Sequence, residues 1–153
     1  MHIVKSPQPL PEHIDLFIAG GISGCPDWQT ETSDLLHEVS GVAVNPRREG
    51  DFAKDGTTAA EQIAWEHTAL SCAKAVLFWF PYQTLCPITL LELGAAMHRP
   101  WQRLFVAVHP EYQRRFDVIQ QLKIQRPEIV VFPSILEVVE KYSLISRKEE
   151  NVS

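Results

Sequence analysis

Glu92 is the residue from which the chemistry of this chain has to be argued. It stands in Pro87-Ile88-Thr89-Leu90-Leu91-Glu92-Leu93-Gly94-Ala95-Ala96, soon after the aromatic run Ala75-Val76-Leu77-Phe78-Trp79-Phe80. In a helix its neighbours three and four positions away are Ile88, Thr89, Ala95 and Ala96, none of them charged. A carboxylate among such neighbours is either buried with partners or looks into a pocket. Glu66, in Ala64-Trp65-Glu66-His67, is the second carboxylate of interest, with Gln62, Ile63, Ala69 and Leu70 as its helical neighbours. Two carboxylates that converge on one cleft can divide nucleophile and proton-transfer roles, as in retaining glycoside hydrolysis. Taken alone, the spacing of Glu66 describes equally well a residue that borders the core and reaches solvent.

Other residue types suit a binding site. Gly20-Gly21-Ile22-Ser23-Gly24 can bring backbone N–H groups close to a phosphate or a sugar. It matches neither GxGxxG nor the P-loop, and an ordinary strand-to-helix turn is the alternative. Asn45-Pro46-Arg47-Arg48 sets an amide at a strand end with two guanidinium groups beyond it, able to hold a phosphate or a carboxylate. The same pair also reads as solvated loop. Trp28, beside the glycine loop, is the candidate for stacking on a nucleobase, whereas Trp79 reads as core. His67, His98 and His109 are scattered without ligand spacing, so no metal site is expected. Cys86 lies near the Glu92 segment without a histidine partner and is not expected to be a nucleophile.

The elements that must position these groups alternate. Apolar strands are expected at 14–19, 41–44, 75–80, 103–108 and 129–132, with helices at about 26–37, 59–71, from Pro87, 111–123 and 134–142. Residues 1–13, with Pro7, Pro9 and Pro11, read as an extended lead-in, 47–58 as a charged, glycine-containing loop, and 146–153 as a frayed polar tail. Continuously apolar strands between helices predict a single α/β domain over 1–153. Its core would be a doubly wound five-stranded parallel sheet, flavodoxin-like or Rossmann-like. Such sheets bind ligands at the carboxyl ends of their strands, where 20–25, 45–48 and 80–87 fall.

The bulk composition narrows the partners. With 45% hydrophobic and 22% charged residues, the 153-residue chain reads as a folded globular domain. A net charge of -5 offers no electrostatic attraction to nucleic-acid polymers or acidic membranes, so a monomeric nucleoside or nucleotide is the expected ligand. No apolar run approaches the about 18 residues of a membrane span, and residues 1–7 lack a signal-peptide core. Cys25, Cys72 and Cys86 are odd in number without CxxC spacing, which fits a reducing cytoplasm.

Together these pieces resemble the nucleoside 2-deoxyribosyltransferase-like superfamily, in its compact branch with the pattern AGGIS…DW…NPRR…WE…LFWF…PITLLELG. The match runs in order over about 14–120. The resemblance implies a flavodoxin-like fold and a glutamate nucleophile in an ELG motif, here Glu92. That carboxylate would form a covalent 2-deoxyribosyl-enzyme, with Glu66 assisting the leaving base and Gly20, Gly21 and Ser23 lining the sugar pocket. A second base or water would then take the sugar, giving a transferase or a deoxynucleoside 5′-monophosphate N-glycosidase. On this reading Asp27, Asn45 and Arg48 help hold the substrate and Trp28 lies against the base. No metal or organic cofactor is expected, and a homo-oligomer is. Three positions depart from the family pattern: Phe17 replaces a tyrosine, Lys74 an acid, and the Cys86-Pro87 segment a sugar-contacting aspartate. The Phe17 and Cys86 departures motivate an alternative of a different class, a catalytically silent nucleotide-binding or sensing domain.

Overall fold

The computed structural model describes residues 1–49 and 56–152. Part of the expected 47–58 loop, and Ser153 of the expected tail, lie outside them. Six strands and five helices follow in the order β1 (His2–Lys5), β2 (Leu16–Gly20), α1 (Trp28–Leu35), β3 (Val42–Asn45), α2 (Ala59–Cys72), β4 (Ala75–Phe80), α3 (Pro87–Met97), β5 (Arg103–Val108), α4 (Arg115–Gln125), β6 (Val131–Phe132) and α5 (Ile135–Glu150). All strand pairings are parallel, in the order β1-β3-β2-β4-β5-β6. The α/β, doubly wound class is therefore as the sequence implies, but the sheet has six strands rather than five.

The extra strand comes from the lead-in. His2–Lys5 pairs along Val42–Asn45 and leaves much of its surface exposed, so it lacks the continuous apolar run that marks the inner strands. The other correction is at the far end, where α5 continues to Glu150 instead of fraying after Tyr142. Its last turns pair with the body of the domain, Arg103 with Glu149 and Arg147 with Glu38, and its final turn carries Arg147 and Lys148 where the helix dipole favours cations.

Each inner strand divides its side chains between two cores. Phe17, Ala19, Val76, Phe78, Phe80, Val106 and Val108 pack with residues of α2, α3 and α4. Leu16, Ile18, Leu77, Trp79, Phe105 and Ala107 pack with α1 and α5 on the other face. Phe17, Phe78 and Phe80 are fully buried, each worth about 2–3 kcal/mol of apolar transfer. The lack of a hydroxyl at Phe17 is thus a core feature. Strand β2 lies between β3 and β4. The connection leaving β2 runs through α1 on one face, and that leaving β4 runs through α3 on the other. The chain parts there, opening a crevice at the carboxyl ends of β2 and β4. No described helix is long and apolar enough to cross a membrane.

Candidate active site

The crevice holds a cleft of about 290 Å³ lined by residues 19–23, Pro46, Glu66, Thr84 and 86–89, with Glu92. Of the residues singled out by sequence, Gly20, Gly21, Ser23, Glu66 and Glu92 meet there. Glu92 projects from the second turn of α3. That helix starts abruptly: Cys86 takes a left-handed conformation at φ 51 and Pro87 opens the first turn. Glu66 comes from the middle of α2, whose start is fixed by the Thr58–Glu61 capping box.

Glu66 is the end of a polar chain. Gln62 donates to Glu66 Oε1 at 2.6 Å and, more weakly, to the Pro46 carbonyl at 3.4 Å. The Gln62 oxygen in turn accepts from Arg48 Nη1 at 2.9 Å and from the Ser6 hydroxyl. These donors fix which way the amide points, so its NH2 must face Glu66. Gln62 was legible as a helical neighbour of Glu66 four positions back; Ser6, fifty-six residues before Gln62 in sequence, was not.

The two carboxyls differ in environment. Burial pushes Glu92 up to about 7, and the nearby Glu66 charge adds to the shift. Burial raises Glu66 as well, but the Gln62 hydrogen bond opposes it. Glu66 therefore ionises first, and Glu92 keeps its proton until near neutrality. Two acids with separated titrations in one cleft are the arrangement acid–base and nucleophilic catalysis use.

The remaining sequence candidates sit elsewhere, and their work is to build the loop. Trp28 is buried rather than open to a base: its indole N–H donates to the Gly21 carbonyl at 2.8 Å, and its ring fills the space beside Gly20. Asp27 caps α1 by accepting from Thr30 and pairs with Arg47 at 3.3 Å. Asn45 is buried and accepts from the Arg47 backbone N–H at 2.9 Å. Arg47 itself donates to the carbonyls of Ile22 and Cys25 and to Gln29, clamping the glycine loop. Arg48 reaches Gln62 and Ser6 behind Glu66. Sequence reasoning also passed over the apolar wall of the cleft, Ile22, Pro46 and Ile88, which no polar motif marks.

A larger groove of about 730 Å³ lies at the amino ends of the strands. Its charges are paired with one another, Lys74 with Asp15 at 2.8 Å and Arg103 with Glu149, and it lies opposite the end where α/β sheets bind ligands. The Lys74 departure belongs to this structural end.

Among curated proteins, none matches the chain. A family model described as "Nucleoside 2-deoxyribosyltransferase like" matches residues 13–112, a span that runs from just before β2 through β5 and includes both carboxylate-bearing helices. With two-thirds of its length in that match, and with the carboxylate cleft inside it, the chain belongs to the nucleoside 2-deoxyribosyltransferase-like family.

Proposed function

We propose that this protein cleaves the N-glycosidic bond of 2-deoxynucleosides or their nucleotides through a covalent glutamyl-deoxyribosyl intermediate. One observation carries the reading: Glu92, largely buried and with no charged partner of opposite sign among the described residues, faces the same cleft as Glu66, whose charge raises its pKa. In its ionised form Glu92 attacks the anomeric carbon as the bond to the base breaks, and the bonding pair leaves with the base. Glu66, ionised before Glu92, accepts a hydrogen bond from an N–H of the base and holds it in line, while the departing base takes its proton from solvent. The acceptor, a second base or water, then attacks the same carbon and releases Glu92.

The Gly20-Gly21 backbone and Ser23 stand where the sugar would lie, and Ile22 and Ile88 offer apolar surface to the base. Arg48 serves through Gln62, holding Glu66 in place. The covalent route needs no cofactor, because it splits one difficult displacement into two easier ones. Ile88, which lines the cleft, continues with Leu91 and Ala95 as an exposed apolar stripe along α3, the face on which a second copy of the chain would pack.

The test is base release from a panel of deoxynucleosides and their 5′-monophosphates, with and without an acceptor base. Free deoxyribose or its phosphate marks hydrolysis; a new nucleoside marks transfer. Glu92→Ala should lower either by at least about a thousandfold. Full turnover in that variant, or saturable binding with no base released by the native protein, contradicts the reading.

A further inference from the structure

Gly21 lacks a side chain in a place where two sulfurs converge. A β-carbon there would stand 2.8 Å from Cys86 Sγ and 3.1 Å from Cys25 Sγ. The two sulfurs are therefore no more than about 6 Å apart, and a disulfide would draw them to about 2.0 Å. Among the described residues their other contacts are to backbone, including a hydrogen bond from the Gly21 N–H to Cys86. Cys25 Sγ lies 3.5 Å from the Ile22 carbonyl and Cys86 Sγ 3.6 Å from that of Thr84. Cys86 lines the cleft at the start of α3, six residues before Glu92; Cys25 ends the loop whose backbone forms the opposite wall. The pair is unused by the glycosidic chemistry.

We propose that Cys25 and Cys86 close to an intramolecular disulfide across Gly21, stapling the loop after β2 to the start of α3 and narrowing the cleft. The oxidant is a low-molecular-weight disulfide such as glutathione disulfide. Cys25, the more accessible sulfur and the one beside Arg47, attacks first as its thiolate. The small disulfide's S–S bond breaks, and its electron pair leaves with one glutathione thiolate, which takes up a proton. Cys86 then loses its proton to solvent and attacks the Cys25 sulfur of the mixed disulfide, releasing the second glutathione. Two protein thiols are oxidised by two electrons, and one glutathione disulfide becomes two glutathiones.

The local electrostatics suit this direction. Burial lifts both protein thiols above the ordinary range, Cys86 to about 11, while Arg47 partly offsets the rise at Cys25. In each step the small-molecule thiolate is then the better leaving group. Closure is slow at neutral pH and accelerates by about tenfold per pH unit as the Cys25 thiolate fraction grows.

The experiment uses the full chain carrying Cys72→Ser, which removes the remaining, exposed thiol on α2. After incubation with glutathione disulfide at pH 8, intact mass under denaturing conditions should fall by two hydrogens, with no glutathione attached. Digestion should yield a peptide pair joined through positions 25 and 86, released by dithiothreitol. Adding Cys86→Ser should instead trap one glutathione on Cys25, and adding Cys25→Ser should give no disulfide. A glutathione adduct that persists while Cys86 is present, or thiols that remain free after the Cys86→Ser control has reacted, overturns the proposal, as does failure of Cys25 to react at all. The bond is read without any substrate, so this result stands apart from the outcome for glycosidic cleavage.

Discussion

Glu92 is held near neutrality by burial and by Glu66, and this has a consequence for folding as well as for chemistry. In the unfolded chain a glutamate titrates near its ordinary 4.5; in the fold Glu92 titrates near 7. Between those values the native state binds the extra proton, so stability from this group is full below about pH 4.5 and is lost as pH rises through 7. The loss by pH 8 is about 3 kcal/mol. Glu92→Gln, which cannot ionise, should therefore be more stable than the native protein by about that amount at pH 8 and nearly equal at pH 4. Urea melts at the two pH values check this. Activity should rise through about pH 7 as Glu92 ionises. The sequence made Glu92 and Glu66 legible because a charge on an apolar helical face is conspicuous. Asp27, Trp28 and Asn45 stand beside the site, in contacts that build its loop. Where a side chain in a loop points depends on the loop's path, which Arg47 fixes through contacts spanning 25 and 22 residues of sequence.

The loop after β2 is the element on which the site turns. Where β2 hands over to it, the backbone passes so close to α1 and β4 that a β-carbon at Gly20 would overlap the Trp28 ring and come within 2.6 Å of the Trp79 carbonyl. Gly20→Ala should cost about 3 kcal/mol, since neither the backbone nor a buried indole can yield cheaply. Thermal or chemical denaturation measures it, and a cost near zero would mean that the loop is not locked. Strands β2, β4 and β5 were readable because both of their faces are covered, leaving a continuous apolar run. Strand β1 was not: at the sheet edge its hydrogen bonds to β3 carry the pairing while its side chains stay half exposed. The extra length of α5 was hidden for a related reason, because ion pairs to Glu38 and Arg103, distant in sequence, support its polar turns.

At the scale of the whole molecule, the order of strands decides which end of the sheet does chemistry. The crevice between β2 and β4 gathers side chains from α2, α3 and three loops. The roomier groove at the other end gathers ion pairs that neutralise one another. Lys74→Ala and Trp101→Ala, both in that far groove, should each leave turnover within about twofold of native; the exposed Lys74–Asp15 pair is worth at most about 1 kcal/mol of stability. Steady-state kinetics test this, and a large loss of kcat from either would move the site to the wrong end of the sheet. The alternation of elements makes this architecture legible in the sequence. The contact of residue 6 with residue 62, and the approach of Cys25 to Cys86, required the fold.

The central claim is that Glu92 becomes covalently attached to the sugar. Rapid quenching after brief exposure to 2-deoxynucleosides and their 5′-monophosphates, followed by intact-mass and peptide analysis, tests it most directly. The account predicts an added 2-deoxyribosyl or phosphodeoxyribosyl mass located on Glu92 and absent from Glu92→Ala. Base release with no adduct at any quench time, or an adduct on another residue, would contradict it.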